Sequence, residues 1–283
     1  MKLSLILPVL DHEDQLEAIL ADIRTQLHSV DPEVIVVYDV TRPDLLASVK
    51  TEQAALQARY AILPITRVDQ RGFGSALRAG LAAAGGDVAI PIMADRSDDL
   101  GTIPFMLERI ATGADVVAGS RYSAGGGTIG RTTKQRLSRL YSWATATLTS
   151  IPCHDVSNSF KAYRREVWEN VPSEALSFDI SVEMTVKAAA LGFRVAEVPT
   201  VWTNRQTGRS NFRMAREANR YGRWLLYAAH NVPGPGLALR LFGRMAGLLL
   251  PAWGPARPLA ESQYAQRNLS GDPDAGEMVR RSL

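Results

Sequence analysis

DVAIPIMADRSDD, residues 87–99, joins an unbroken apolar run to a group of carboxylates. Val88, Ala89, Ile90, Pro91, Ile92 and Met93 carry no polar interruption, as expected of a strand buried on both faces of a parallel sheet. Asp95, Asp98 and Asp99 follow at its carboxyl end, which is where open α/β sheets hold their ligands. Hard oxygen ligands at such a rim suit a divalent metal that carries a nucleotide diphosphate. The same acids also suit the N-cap of a helix predicted over residues 100–110. From this stretch alone both readings stand.

Outward from it, the pattern repeats. Residues 2–9 (KLSLILPV) and 33–38 (EVIVVY) form apolar strands, the second ending in Asp39. Helical spacing follows each, over 12–26 after Asp11 and over 45–58. A third strand, 61–67, leads into the glycine turn RGFG (71–74) and a small-residue helix over 75–84. Beyond 100–110, residues 114–119 (ADVVAG) are a further strand. Strands alternating with helices at this spacing mean βαβ units and a mainly parallel sheet.

The second half is less regular. SAGGGTIG (123–130) is a glycine-rich loop without the spacing of a Walker A or dinucleotide fingerprint. A basic-edged helix is predicted over 132–150, a turn into a short strand over 155–163, a helix over 178–191 and a strand over 194–199. An amphipathic helix follows over 212–230. After the Pro/Gly break at 232–236, residues 237–250 place Leu237, Leu241, Met245 and Leu248 beside Arg240 and Arg244, as in a helix lying on a membrane surface or packed on a core. Residues 256–283 are polar and are expected to form a flexible tail.

Composition narrows the class. With 46% hydrophobic and 22% charged residues the chain is an ordinary globular protein with a sizeable core. A single cysteine, Cys153, excludes a disulfide framework and a Cys-based zinc site, and fits a cytoplasmic setting. The first apolar run is too short for a signal segment, and no apolar run is long enough to span a bilayer. Net charge is only +3, but between Arg205 and Arg257 nine arginines face one acid, Glu217. That imbalance points to a polyanionic partner: phosphates, an anionic membrane surface such as the inner face of the cell membrane, or nucleic acid.

The order of motifs resembles the family 2 glycosyltransferases, in particular the dolichol- or polyprenyl-phosphate mannose synthase branch, over about residues 2–212. The resemblance implies a single Rossmann-like nucleotide-diphosphosugar transferase domain of the GT-A type over 1–212. A helical, arginine-rich region (213–255) and the tail (256–283) would then follow it. The family's P-x-Y-N-E stands here as Pro8-Val9-Leu10-Asp11-His12. Of its D-D pair, Tyr38-Asp39 keeps the second acid, expected on the ribose or base. Arg71-Gly72-Phe73-Gly74 matches the glycine-rich turn. The D-x-D signature falls on Met93-Ala94-Asp95, so Asp95 keeps the metal-holding position, with Ser97 as its polar neighbour and Asp98 as a source of further charge.

Gly119-Ser120-Arg121-Tyr122 matches G-S-R-Y, and Ser138-Arg139 the S-R expected on an acceptor phosphate. Asp155-Val156-Ser157-Asn158-Ser159-Phe160-Lys161 resembles D-x-T-S-G-F-R. Arg205-Gln206-Thr207-Gly208-Arg209-Ser210-Asn211 resembles the loop that closes over the diphosphate, with Asn211 in place of its lysine.

The resemblance implies inverting transfer from a nucleotide-diphosphosugar to a polyprenyl phosphate with Mg²⁺ or Mn²⁺. Asp95 and Ser97 would hold the metal. Asp95, Arg121 and Arg205 would be catalytic. Pro8, Leu10, His12, Asp39, Arg71, Met93, Ala94, Asp95, Ser97, Arg205 and Ser210 would line the donor site, and Arg121, Ser138 and Arg139 the acceptor phosphate. No nucleic-acid partner is implied, and oligomeric state is not legible. A hydroxyl acceptor would instead require a carboxylate base, for which Glu183 and Asp179 are the candidates. The departures at Tyr38, Met93 and Asn211 also leave open a silent member that binds nucleotide sugar without turnover.

Overall fold

The computed structural model describes residues 1–68, 72–130, 133–204 and 214–232. Its centre is a seven-stranded sheet in the order β3-β2-β1-β4-β7-β5-β8. The strands are β1 (Leu3–Leu10), β2 (Glu33–Val40), β3 (Leu63–Val68), β4 (Val88–Pro91), β5 (Val116–Ser120), β7 (Lys161–Arg164) and β8 (Val195–Pro199). Only β7 runs antiparallel to its neighbours in this sheet. The short strands β6 (Gly127–Ile129) and β9 (Val201–Thr203) pair separately. The expected mixed, mainly parallel α/β architecture is the one observed.

Helices α1 (Leu16–Gln26), α2 (Leu46–Tyr60), α3 (Phe73–Ala83), α4 (Ile103–Ala111), α5 (Thr133–Leu148), α6 (Arg165–Asn170), α7 (Ile180–Ala190) and α8 (Met214–Asn231) complete the described chain. Alternation along β1 sorts them into two layers. Leu3, Leu5, Leu7 and Val9 join the core beneath α1, α2 and α4, whereas Ile6 joins the core beneath α3, α7 and α8. A Cβ on Gly80 of α3 would come within 2.4 Å of Ile6 Cγ2, so glycine there sets the depth at which α3 lies on the sheet.

Two sequence expectations shift, and between the two acids offered as a helix cap the structure selects one. The first helix begins at Leu16 rather than residue 12, because Asp11 adopts φ +55° and spends its carboxylate on the end of β2. The glycine-rich loop 123–130 ends in β6, which the three-residue length and the glycines conceal. Of the acids after β4, Asp99 is the N-cap, accepting from Gly101 N at 3.0 Å at the head of a 3-10 turn (Leu100–Thr102) that leads into α4.

The consequence for function is topological. β1 lies between β2 and β4, so the strand order reverses there, and the crevice outside the carboxyl ends of these strands is the expected ligand position. Register pairs Leu10 with Asp39 and Ile6 with Pro91, which brings the acidic ends of β1, β2 and β4 side by side.

Candidate functional site

Asp11 staples the first two strand ends together. Its carboxylate accepts from Thr41 N and Thr41 Oγ1, both at 2.6 Å, and from Arg42 N at 3.3 Å. Asp39, directly across the β1–β2 ladder from Leu10, is buried and pairs with Arg67 of β3, its own cross-strand neighbour, at 2.7 Å. Arg67 continues to Ser75 O (2.6 Å) and Ser75 Oγ (2.8 Å) at the start of α3. Burial raises the Asp39 carboxyl, and the Arg67 guanidinium opposes that rise. Arg67 escaped the sequence reading; its signal is the β2–β3 register, which no local pattern carries. His12 is exposed beside Glu52 and Asp14, Leu10 is exposed, and Pro8 is half-buried in β1.

The opening stretch separates into distinct tasks. Asp98 Oδ2 accepts from Met93 N at 2.8 Å, which braces the turn after β4, and burial pushes its carboxyl up to about 7. Asp95 is half-buried, with Oδ1 accepting from Ser97 N at 3.2 Å. Arg96 between them takes φ +60° and pairs with Asp22 of α1. Ala94 and Ser97 are buried, and Ser97 O accepts from Thr203 N of β9. A non-glycine residue in the left-handed region stores strain, and here two of them, Asp11 and Arg96, stand at adjacent strand ends.

Across the sheet, Arg121 leaves the end of β5 and is gripped by Asp155. Nε and the backbone N reach Oδ2 at 2.6 and 3.0 Å, and Nη2 reaches Oδ1 at 2.9 Å. The pair is nearly dry, with Asp155 fully buried. Burial would lower the Arg121 guanidinium, but the Asp155 charge and hydrogen bonds outweigh it and hold the group further up. Nη2 also lies 3.2 Å from Ser138 Oγ and 3.4 Å from Ser157 Oγ, and the two serine hydroxyls are 2.6 Å apart. The Tyr122 hydroxyl is 2.9 Å from Ser138 Oγ, and Arg139 stands over the Tyr122 ring at 5.9 Å. The fold therefore gathers Arg121, Ser138 and Arg139 in one place, and adds Tyr122, Asp155 and Ser157.

The two halves meet through α3 and α7. Gly72, at φ +121°, opens α3, and Gly74 N donates to Leu176 O at 3.1 Å. A Cβ on Gly74 would stand 2.3 Å from Ala175 O, so only glycine permits this approach. Phe73 stacks on Phe178 at 4.7 Å. Glu183 is fully buried, accepting from Glu174 N and Ala175 N and pairing with Lys187 at 2.6 Å. Asp179 accepts from Trp224 Nε1 at 2.9 Å, and its other oxygen is buried with no hydrogen-bond partner among the described residues.

Arg71, Arg205 and Ser210, named from the sequence as donor-site residues, lie outside the described residues, as do residues 237–250. Among the described residues, no three His, Cys, Asp or Glu side chains form a metal cage. Asp95 and Ser97 supply one carboxylate and one hydroxyl. That donor set fits a hard cation held mostly by substrate phosphates, the usual arrangement for Mg²⁺. No described helix is long and apolar enough to cross a membrane.

The model of the family described as Glycosyl transferase family 2 matches residues 4–171. Curated relatives include a dolichol-phosphate mannosyltransferase of Pyrococcus furiosus, 29% identical over 216 residues, 75% of this chain and 60% of that one. The chain thus spans less than two thirds of the length of that relative. A polyprenol monophosphomannose synthase of Mycolicibacterium smegmatis is also 29% identical, covering 72% of this chain and 78% of its own. An undecaprenyl-phosphate mannosyltransferase of Micrococcus luteus is 28% identical, covering 88% and 99%. Among solved structures, glucosyl-3-phosphoglycerate synthase from Mycobacterium tuberculosis, in complex with Mn²⁺, uridine diphosphate and phosphoglyceric acid, has a TM-score of 0.58 at 17% identity. The match covers 83% of this chain and 80% of that one. At that identity the likeness speaks to the fold.

Proposed function

This chain belongs to glycosyl transferase family 2, and we propose that it moves a sugar, with inversion, from a nucleotide-diphosphosugar to a polyprenyl phosphate, using a divalent metal. The observation that carries the acceptor half is the Arg121–Asp155–Ser138–Ser157 cluster, a guanidinium fixed by a buried carboxylate beside paired hydroxyls. Such a rigid, permanently charged fork suits a phosphate. Asp98, in the turn after β4, lies within range of the Arg121 charge, so the cluster adjoins the proposed donor rim. Three relatives named for transfer to dolichol, polyprenol or undecaprenyl phosphate support the same acceptor class.

A phosphate monoester, with a second pKa of about 6, is largely dianionic at neutral pH and needs no general base. It needs positioning against like charge, the role assigned to Arg121, Ser138 and Arg139. Asp95 and Ser97 would hold the metal, which when bound neutralises the departing diphosphate. Arg205 and Ser210 retain their sequence-based roles at that diphosphate. A hydroxyl acceptor is less well served, because Glu183 is buried and committed to Lys187 and two backbone amides.

The acceptor class implies a lipid surface, and α5 has the build for one. Its inward face carries the buried hydroxyls of Ser142 and Thr145, while Leu137, Leu140 and Trp143 are exposed beside exposed Arg136 and Arg139. This inverted amphipathicity suits an anionic interface. Ser138 lies on the same helix, so a lipid held there would bring its phosphate to Arg121.

The direct assay incubates the protein with a panel of nucleotide sugars, Mg²⁺ or Mn²⁺ and a short-chain polyprenyl phosphate. Glycolipid formation with one donor is the expected result, and no transfer from any donor would sink the reading. Asp95→Ala should weaken metal-dependent donor binding at least about tenfold by calorimetry. Unchanged affinity would remove Asp95 from the site. Replacing Leu140 and Trp143 together by serine should cut sedimentation with phosphatidylglycerol vesicles about tenfold or more, since each buried side chain contributes roughly 1.5–3 kcal/mol. Equal sedimentation of variant and parent would exclude α5 as the contact.

A further inference from the structure

Behind the Arg121 cluster lies a cation that the proposed mechanism leaves unused. Lys161 opens β7, is fully buried, and donates from Nζ to Val156 O at 2.7 Å and to Ser181 O at 3.0 Å. Val156 follows Asp155 in the loop that grips Arg121, and Ser181 sits in the first turn of α7. Burying an ammonium is costly unless a counter-charge meets it. The described ion pairs set no carboxylate against Nζ. Asp155, the nearby candidate, spends Oδ2 on Arg121 Nε and N, and Oδ1 on Arg121 Nη2 and Ser157 Oγ. One carboxylate is therefore matched to one guanidinium, and the lysine adds a buried positive charge to the exposed one of Arg139.

We propose that Lys161 is the positioning residue of the acceptor half. Its ammonium adds to the positive charge that draws a phosphate to Arg121 and Ser138, and its bonds to the Val156 and Ser181 carbonyls tie the loop from which Asp155 aims Arg121 to the first turn of α7. The inference rests on the acceptor-phosphate reading above.

The titration behaviour agrees with the geometry. Burial pulls the Lys161 ammonium down to about 8. The groups acting on it are the Cys153 thiol, itself pushed up to about 12 by burial, Asp155, and Arg121, which opposes its charge. From α7 the neutral Ser181 carbonyl faces it. An anion favours the charged lysine, so binding strength is full below this value and declines as pH rises through it. The phosphate is already dianionic there, and arginine does not titrate in that range.

The test is calorimetric binding of a ten-carbon prenyl phosphate to the full chain, without donor or metal, between pH 7.5 and 9.5. The wild-type protein is expected to weaken about tenfold across the window, as the loss of one nearby charge predicts. Lys161→Arg should bind like wild type at pH 7.5 and stay level to 9.5. Lys161→Met should be weaker about tenfold at pH 7.5 and also level. A wild-type affinity that ignores pH, or a Lys161→Arg protein that declines in parallel with wild type, would overturn the proposal. Should Lys161→Met fail to fold, those two proteins still decide it. No binding by wild type at any pH sinks the acceptor-phosphate reading and this inference with it, whereas pH-independent binding sinks this inference alone.

Discussion

Asp155→Ala is expected to lower unfolding free energy by about 3–5 kcal/mol, the range for removing one partner of a buried ion pair. Asp155 is fully buried and meets Arg121 through three contacts of 3.0 Å or less. Truncation strands a guanidinium in a low-dielectric setting and orphans the Arg121 backbone N–H. Replacing both partners, with Arg121→Met and Asp155→Leu in one protein, should recover part of that loss because the guanidinium is then no longer stranded, although the backbone N–H at 121 and the buried Lys161 ammonium still lose Asp155. The double variant should nevertheless bind no prenyl phosphate. Urea unfolding of the single and double variants, with phosphate binding measured on each, separates stability from recognition. A loss below about 1 kcal/mol for Asp155→Ala would mean the pair is effectively solvated.

Glu183→Ala should be comparably severe, again about 3–5 kcal/mol. Its carboxylate takes Lys187 Nζ at 2.6 Å, Glu174 N at 2.9 Å and Ala175 N at 2.8 Å, with no exposed surface. These bonds hold the 174–178 loop, whose Leu176 carbonyl receives the first turn of α3 and whose Phe178 stacks on Phe73. Lys187 in turn lies 5.0 Å above the Trp224 ring, and Trp224 donates to Asp179, so α8 shares the damage. Glu183→Gln keeps the shape and part of the bonding. It should retain turnover at low temperature while melting earlier. The opposite outcome, full stability with turnover abolished, would make Glu183 a catalytic base and revive a hydroxyl acceptor.

The corrections share one cause. Asp11 looked like a helix start because aspartate before a helical pattern is a capping signal, yet a residue thirty positions away, Thr41, claims its carboxylate. Asp98 and Asp99 are indistinguishable in sequence. The backbone path separates them, turning Asp98 back onto Met93 N and leaving Asp99 to cap the helical turn. The basic edge of α5 was legible, but which edge faces out was not, because its buried side is made of serine and threonine rather than leucine.

What the amino-acid order by itself determined was the alternation of strands and helices, the acids at the ends of β2 and β4, and the sequence of motifs that marks the family. Those are local properties, set by side-chain period and by the polarity change at each strand end. Tertiary structure alone decided who meets whom. Asp39 meets Arg67 because β2 and β3 align them across a parallel ladder. Arg121 meets Asp155 because the chain returns after 34 residues to the end of β5, and Lys161 is buried behind them because β7 enters antiparallel beside that strand. Such partnerships depend on register between segments distant in sequence, and no window of neighbouring residues encodes register. The stretch DVAIPIMADRSDD shows the division: its strand and its acids were readable, but the separate tasks of Asp95, Asp98 and Asp99 came only with the fold.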